Sequence, residues 1–177
     1  MKLGRPIIVA EMSANHLGRL ERALEIIDAA AGSGADALKI QTYRADTITI
    51  RSDRPEFRIR GGLWDGRSLY DLYEEGTTPW EWIPALIERG RKNGLEVFSS
   101  PFDAGAAAVL EKNGVPAFKI ASFELVDLGL IRAVSAYRKP VIMSDGLASL
   151  SEIDRAVNAA RQGGASGIAV LHCVSSY

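Results

Sequence analysis

The chain has 177 residues, 47% of them hydrophobic, with 21 basic and 22 acidic side chains and a formal net charge of −1. That is enough chain to bury a core in one domain, and so even a charge balance gives no field that would gather nucleic acid or an anionic membrane. A single cysteine, Cys173, excludes a disulfide framework. The apolar run at 7–10 is too short for a signal or membrane-spanning segment before Glu11 interrupts it, so a reducing cytoplasm is the expected setting.

Apolar runs and helical periodicity predict a strand at 6–10, a helix at 20–31 stopped by Gly32 and Gly34, and a strand at 37–40. Further on they predict a helix at 80–92, a strand at 96–99, a helix at 104–112, a strand at 117–120 and a helix near 129–137. The last elements are a strand at 141–143, a helix at 150–161 with Ser149 or Ser151 as its cap, and a strand at 168–172. Strict alternation of strands and helices, with most strands about 20 to 30 residues apart, predicts a parallel sheet of βα units. A (β/α)8 TIM-type barrel fits that rhythm, and since such a barrel needs roughly 250 residues, about six of its eight units are expected here. A doubly wound sheet is the competing architecture, although no Gly-x-Gly-x-x-Gly turn follows the first strand.

In a barrel the functional groups come from the C-terminal ends of several strands and share one mouth. Each predicted strand here ends in such a group: Glu11; Lys39 and Gln41; Ser99 and Ser100; Lys119, Ser122 and Glu124; Ser144; then His172, Ser175 and Tyr177. Two of these strands are nearly the same phrase, Gly34-Ala-Asp-Ala-Leu-Lys-Ile-Gln-Thr-Tyr43 and Gly114-Val-Pro-Ala-Phe-Lys-Ile-Ala-Ser-Phe123. A lysine inside a strand ordinarily snorkels to an edge, and a serine after a strand is ordinarily a turn or cap residue; it is the repetition that points to one anionic site. Lysines, hydroxyls and backbone N–H groups bind a phosphate, and a nearby carboxylate such as Glu11 can move a proton or simply pair with a lysine. A Schiff-base aldolase is the competing chemistry, which borohydride trapping on Lys39 or Lys119 would reveal. His16 and His172 make a poor metal pair, and His172 reads as a core histidine. The segment 44–79 is far longer than a usual βα loop. It is rich in arginine interleaved with acids, and Trp64, Tyr70 and Tyr73 within it, with Trp80 and Trp82 just after it, make it amphipathic. It reads either as a solvated loop or as one packed on the mouth or on a second subunit.

Ile8-Val-Ala-Glu-Met-Ser-Ala-Asn-His16, Ala37-Leu-Lys-Ile-Gln-Thr-Tyr43, Ala45-Asp-Thr47 and Leu63-Trp-Asp-Gly-Arg-Ser-Leu-Tyr-Asp-Leu-Tyr73 are followed by Thr78-Pro-Trp-Glu-Trp82 and Ser100-Pro-Phe-Asp103. Lys119-Ile-Ala-Ser122 and Cys173-Val-Ser-Ser-Tyr177 complete the series. In this order the motifs resemble the sialic acid synthase family, and the Glu-Met-Ser, Gln-Thr-Tyr and Leu-Trp-Asp-Gly-Arg stretches resemble its pseudaminic branch.

The resemblance implies a carbon–carbon bond-forming transferase of nonulosonic acid biosynthesis that condenses phosphoenolpyruvate with an open-chain acetamido sugar. For the pseudaminic branch the sugar is 2,4-diacetamido-2,4,6-trideoxy-altrose; N-acetylneuraminate or legionaminate synthesis is the alternative within the family, and a non-catalytic anion-binding remnant the alternative outside it. It implies that Lys39, Ser100, Lys119, Ser122, Ser144, Ser175 and Tyr177 bind phosphoenolpyruvate, that Gln41 and Glu124 bind the sugar, and that Glu11 is catalytic. It also implies a divalent metal, Mn or Mg, a homodimer, and a barrel domain over 1–177 cut before strands 7 and 8, without the antifreeze-like domain. The metal ligands would then lie outside this chain, which is expected to be inactive alone. Two positions depart from the family pattern, Thr77 in place of histidine and Asp145 in place of a neutral residue, the latter placing a negative charge near the phosphate site.

Overall fold

The computed structural model describes residues 4–173. Its six strands are β1 (Val9–Glu11), β2 (Ala37–Thr42), β3 (Glu96–Pro101), β4 (Phe118–Ile120), β5 (Pro140–Ser144) and β6 (Gly167–Leu171). All pair in parallel and in sequence order, β1-β2-β3-β4-β5-β6. A doubly wound sheet reverses its strand order at a switch point. No reversal occurs here, so the competing architecture is set aside and the wall is that of a curled, incomplete TIM-type barrel.

The first strand is shorter than the pattern predicts, and the reason is local. The Ile8 N–H is taken by the Asp36 carboxylate at 2.8 Å, which also pairs with Arg5, so ladder pairing begins only at Val9↔Ala37. Strands β2 and β3 instead run two residues longer than expected, to Thr42 and Pro101.

Seven helices accompany the described strands: α1 (Leu20–Gly32), α2 (Ala45–Ile48), α3 (Leu69–Gly76), α4 (Ile83–Lys92), α5 (Ala104–Lys112), α6 (Leu128–Ser135) and α7 (Leu150–Gly163). Helix α1 buries Ala23, Ile27 and Ala30, spaced for one helical face. The expected helix at 80–92 begins as a 3₁₀ turn at Trp80–Trp82 and becomes α-helical at Ile83, with Pro84 in its first turn where no N–H is required. At Gly90 a Cβ would stand 2.3 Å from Val97 Cγ2 and 2.8 Å from the Leu95 carbonyl, so only glycine lets α4 lie this close to β3. Helices α5 and α6 are capped by Asp103 and Asp127, whose carboxylates accept from Ala106 and Leu130 N–H. The Asp127 cap starts α6 at Leu128 and it ends at Ser135, earlier than expected.

Ser149, not Ser151, caps α7. Its hydroxyl accepts from Glu152 N–H while the Glu152 carboxylate accepts from Ser149 N–H, forming a reciprocal capping box. Ser149→Ala is expected to cost about 0.5–2 kcal/mol. Thermal unfolding should show this as a midpoint lower by roughly 2–4 °C per kcal/mol; an unchanged midpoint would mean that the cap is replaceable by water.

The long segment 44–79 is not a bare loop. It holds α2, α3, two 3₁₀ turns at Pro55–Phe57 and Gly62–Trp64, and an antiparallel bridge between Arg58 and Ser68. Its arginines answer its own acids: Arg58 pairs with Asp53, Arg67 with Glu75, and Arg51 with Asp71 and Glu74 while lying 3.9 Å from the Tyr70 ring centroid.

The core lies between the sheet and the helices. Leu38, Ile40, Val97, Phe118, Ile120, Val141 and Met143 face outward into it, packed with Leu86, Leu110, Ile131 and Val134. Period-two alternation then turns Glu11, Lys39, Gln41, Ser100, Lys119 and Ser144 toward the barrel interior.

Candidate active site

Two ion-rich clusters meet at the strand ends. Lys39 Nζ pairs with Glu11 Oε2 at 2.6 Å, across strands that place these residues directly opposite. The other Glu11 oxygen accepts from Ser13 N–H and Oγ–H at 3.2 and 3.1 Å. In the other, Lys119 is only 7% exposed, and its ammonium donates to Ser144 Oγ at 2.5 Å and to the Ile120 carbonyl at 2.8 Å. Burial first, and the charge of Lys39 second, lower the Lys119 pKa to about 8. The two lysines are therefore close enough to feel one another, as expected of a shared anion site.

The hydroxyls divide by face. Ser99 points outward, bonded to Thr42 Oγ1 at 2.7 Å and to the Ile40 carbonyl at 3.1 Å, so its role is structural. Ser100, opposite Gln41 in the sheet, is buried with no partner for its Oγ among the described residues. Ser122 abuts the turn after β5, where a Cβ on Gly146 (φ +50°) would fall 2.5 Å from Ser122 Cβ. Ser175 and Tyr177 lie outside the described residues.

Gln41, Ser122 and Glu124 supply the polar side chains of a cavity of about 450 Å³, within the range of small-molecule sites. Burial raises the Glu124 pKa above the usual carboxyl value, and its Oε2 has no partner among the described residues. The rest of the lining is Tyr43, Ile48, Tyr73, Phe102, Ala121 and Phe123, apolar apart from the two phenol hydroxyls; of these the sequence singles out only Tyr73, among the aromatics of the segment read as packing on the mouth. A signal was present for Tyr43: it follows Lys39 and Gln41 at period two.

Asp145 does not burden the anion site. Its two carboxylate oxygens accept from Cys173 N–H and bond His172 Nδ1, each at 2.9 Å, tying the end of β6 to β5. His172 follows β6, the edge strand of the described sheet, and has 83% of its side chain accessible, where a core histidine was expected. The buried one is His16. Its Nδ1 accepts from Gly18 N–H at 3.1 Å, its Nε2 lies 3.3 Å from Thr78 Oγ1, and Trp82 meets its ring edge-on. Desolvation holds its pKa below the usual imidazole value. Cys173 Sγ lies 3.1 Å from Ser144 Oγ, bringing the thiol against the Lys119 cluster. Among the described residues no group of three or more His, Cys, Asp and Glu side chains could hold a metal ion.

Sequential parallel strands with two convergent lysines at their C-terminal ends define the wall of a TIM-type barrel with a cation-lined mouth. The NeuB family profile matches residues 26–177, and the chain belongs to that family. It is 45% identical over 172 residues to the pseudaminic acid synthase of Helicobacter pylori, covering 97% of this chain and 51% of the relative. To the N,N'-diacetyllegionaminic acid synthase of Campylobacter jejuni it is 30% identical over 176 residues, 98% of this chain and 52% of that one. The N-acetylneuraminic acid synthetase of Leptospira borgpetersenii, solved in complex with citrate, matches with a TM-score of 0.84 at 31% identity, over 100% of this chain and 60% of that chain. The chain spans about half the length of the curated relatives it matches.

Proposed function

We propose that this chain forms the phosphoenolpyruvate-binding wall of a nonulosonic acid synthase that makes a nine-carbon 2-keto sugar acid for surface glycans. The observation that carries the reading is the convergence of Lys39 and Lys119 with Ser100 and Ser144 at one mouth. Lys39, Ser100, Lys119, Ser122 and Ser144 hold the phosphate and carboxylate of phosphoenolpyruvate; Ser175 and Tyr177 join them by their place in the sequence motif. Gln41 and Glu124 hold the acetamido sugar. In the condensation, carbon 3 of the enol phosphate forms a bond to the sugar aldehyde carbon, whose oxygen takes up a proton to become a hydroxyl, and water adds at the electron-poor carbon 2 with loss of a proton. The carbon–oxygen bond to the phosphate then breaks and phosphate leaves. The phosphate is anionic throughout, so preorganised cations at its position act from binding to release. Glu11, oriented by Lys39 and Ser13, takes the proton of the incoming water.

The larger identity to a pseudaminic than to a legionaminic acid synthase, 45% against 30%, favours 2,4-diacetamido-2,4,6-trideoxy-altrose as acceptor. The family resemblance brings a divalent cation, Mn or Mg, a homodimer and a cytoplasmic setting with it; the described residues do not form the cation's site, and no step above is routed through it. Burial of Lys119 alone would suit a Schiff-base lysine as well; it is the NeuB family match and the similarity to nonulosonic acid synthases that disfavour that alternative. Calorimetric titration of the 177-residue chain with phosphoenolpyruvate is expected to show saturable one-to-one binding displaced by inorganic phosphate. No saturable heat at millimolar ligand would refute the reading.

A further inference from the structure

Segment 44–79 carries Ile48 and Tyr73 into the cavity beside the anion site, where they meet Tyr43 and Phe102 from the barrel strands and their loops. The aromatic rings form a fixed corner. Tyr43 meets Tyr73 at 6.1 Å between centroids and 82° between planes, and Phe102 at 5.4 Å and 78°, both edge-to-face. The segment is docked where it matters. A Cβ on Gly76, at the end of α3, would lie 2.8 Å from the Tyr43 hydroxyl oxygen and 3.3 Å from Ala14 Cβ, so the helix closes tightly on both. Burial, with Tyr73 beside it, raises the Tyr43 pKa to about 12, so this corner carries no charge at physiological pH.

We propose that Ile48 and Tyr73, with Tyr43 and Phe102, are specificity-determining residues that select the acceptor by its methyl groups. This rests on the synthase reading above and adds which part of the acceptor is read, and by which residues. Gln41 and Glu124 can satisfy amide and hydroxyl groups of a sugar chain. The Ile48 side chain and the ring faces and edges of Tyr43, Tyr73 and Phe102 offer a methyl group contact, whereas a hydroxyl lodged against them gives up its water partners for at most the two phenol hydroxyls. A deoxy terminus or an acetyl methyl is therefore favoured there over a hydroxymethyl group. Discrimination of this type is on the order of 10- to 100-fold, larger than a flat polar site would give.

The test uses the 177-residue chain saturated with phosphoenolpyruvate and two probes: a 2,4-diacetamido-2,4,6-trideoxy sugar, and N-acetylmannosamine, which keeps its terminal hydroxyl. Calorimetry or ligand-observed NMR should give about 10- to 100-fold tighter binding of the first. Tyr73→Ala should bring the ratio below about threefold while phosphoenolpyruvate binding is unchanged, and Ile48→Ser, on the separate short α2, gives a second chance if α3 does not tolerate the first change. A ratio near one in the unmodified chain, a ratio unmoved by either substitution, or binding of neither sugar overturns the inference. Failure of phosphoenolpyruvate itself to bind is a different result: it removes the synthase reading and this inference with it.

Discussion

Lys119→Met is expected to weaken phosphoenolpyruvate binding by roughly 30-fold to several-thousandfold, the equivalent of about 2–5 kcal/mol for losing one member of a buried charge pair. Methionine preserves the apolar stem and deletes only the ammonium, which is 7% exposed and aimed at the mouth. Removing a buried cation that has no full counter-charge in the free chain should leave stability equal or higher. A thermal midpoint that does not fall therefore separates lost binding from lost folding; a dissociation constant within threefold of the parent would end the anion-site argument. The pH dependence has a definite sign. In the free chain Lys119 loses its proton near pH 8, so affinity should be full below that value and decline as pH rises through it, with the bound phosphate moving the decline upward. The stability of the unliganded chain runs the other way. Between about 8 and the unfolded lysine value of 10.5 the unfolded state binds the extra proton, so stability rises with pH across that window. Affinity that climbs from about pH 7 to 9 would contradict the first argument, and stability of the unliganded chain that falls between about pH 8 and 10.5 would contradict the second.

Phe118→Ala is expected to be the most damaging single core change, costing about 3–5 kcal/mol of a total that is commonly about 5–15. Phe118 is fully buried, its ring lies 5.6 Å from that of Tyr137, and it is the residue through which β4 registers against β3 at Ser99. Its loss leaves a cavity directly behind Lys119. Chemical denaturation should show the reduced stability with a nearly unchanged slope, and phosphoenolpyruvate binding should weaken as the β4 lysine loses its rigid mount. A midpoint change equivalent to less than about 1 kcal/mol would show that the neighbouring Leu110 and Ile131 side chains collapse into the space.

The parallel architecture and the lysine pair were legible because both follow from local periodicity. Alternation within Ala37–Thr42 and Phe118–Ile120 decides which side chains leave the core, whatever lies far away in sequence. Orientation set by distant partners was not legible. Asp145 looked harmful to an anion site until its oxygens were seen to engage Cys173 and His172, well removed in sequence. The core place expected for His172 was not found for a related reason: it follows the edge strand β6 and bonds Asp145, while it is His16 that Thr78 and Trp82 enclose. The ends of β1 and α6 depended on single carboxylates, Asp36 and Asp127, competing for backbone N–H groups. Of the two readings of segment 44–79, packing on the mouth is the one found, with Tyr73 in the cavity lining; Ile48 was not singled out because the segment's sequence is dominated by charge, and those charges are paired largely within the segment.

The position of segment 44–79 between β2 and β3 bears on how such a barrel can change over time. It about doubles the chain length joining two neighbouring strands compared with β1 to β2, and each doubling adds only about 0.6 kcal/mol of closure entropy. The β2–β3 ladder closes over the insertion with six paired positions, as many as the longest strands allow. Sequence drift in the insertion is thus nearly uncoupled from the stability of the wall, and the residues it lends to the cavity, Ile48 and Tyr73, can diversify while Lys39 and Lys119 stay where the strands put them.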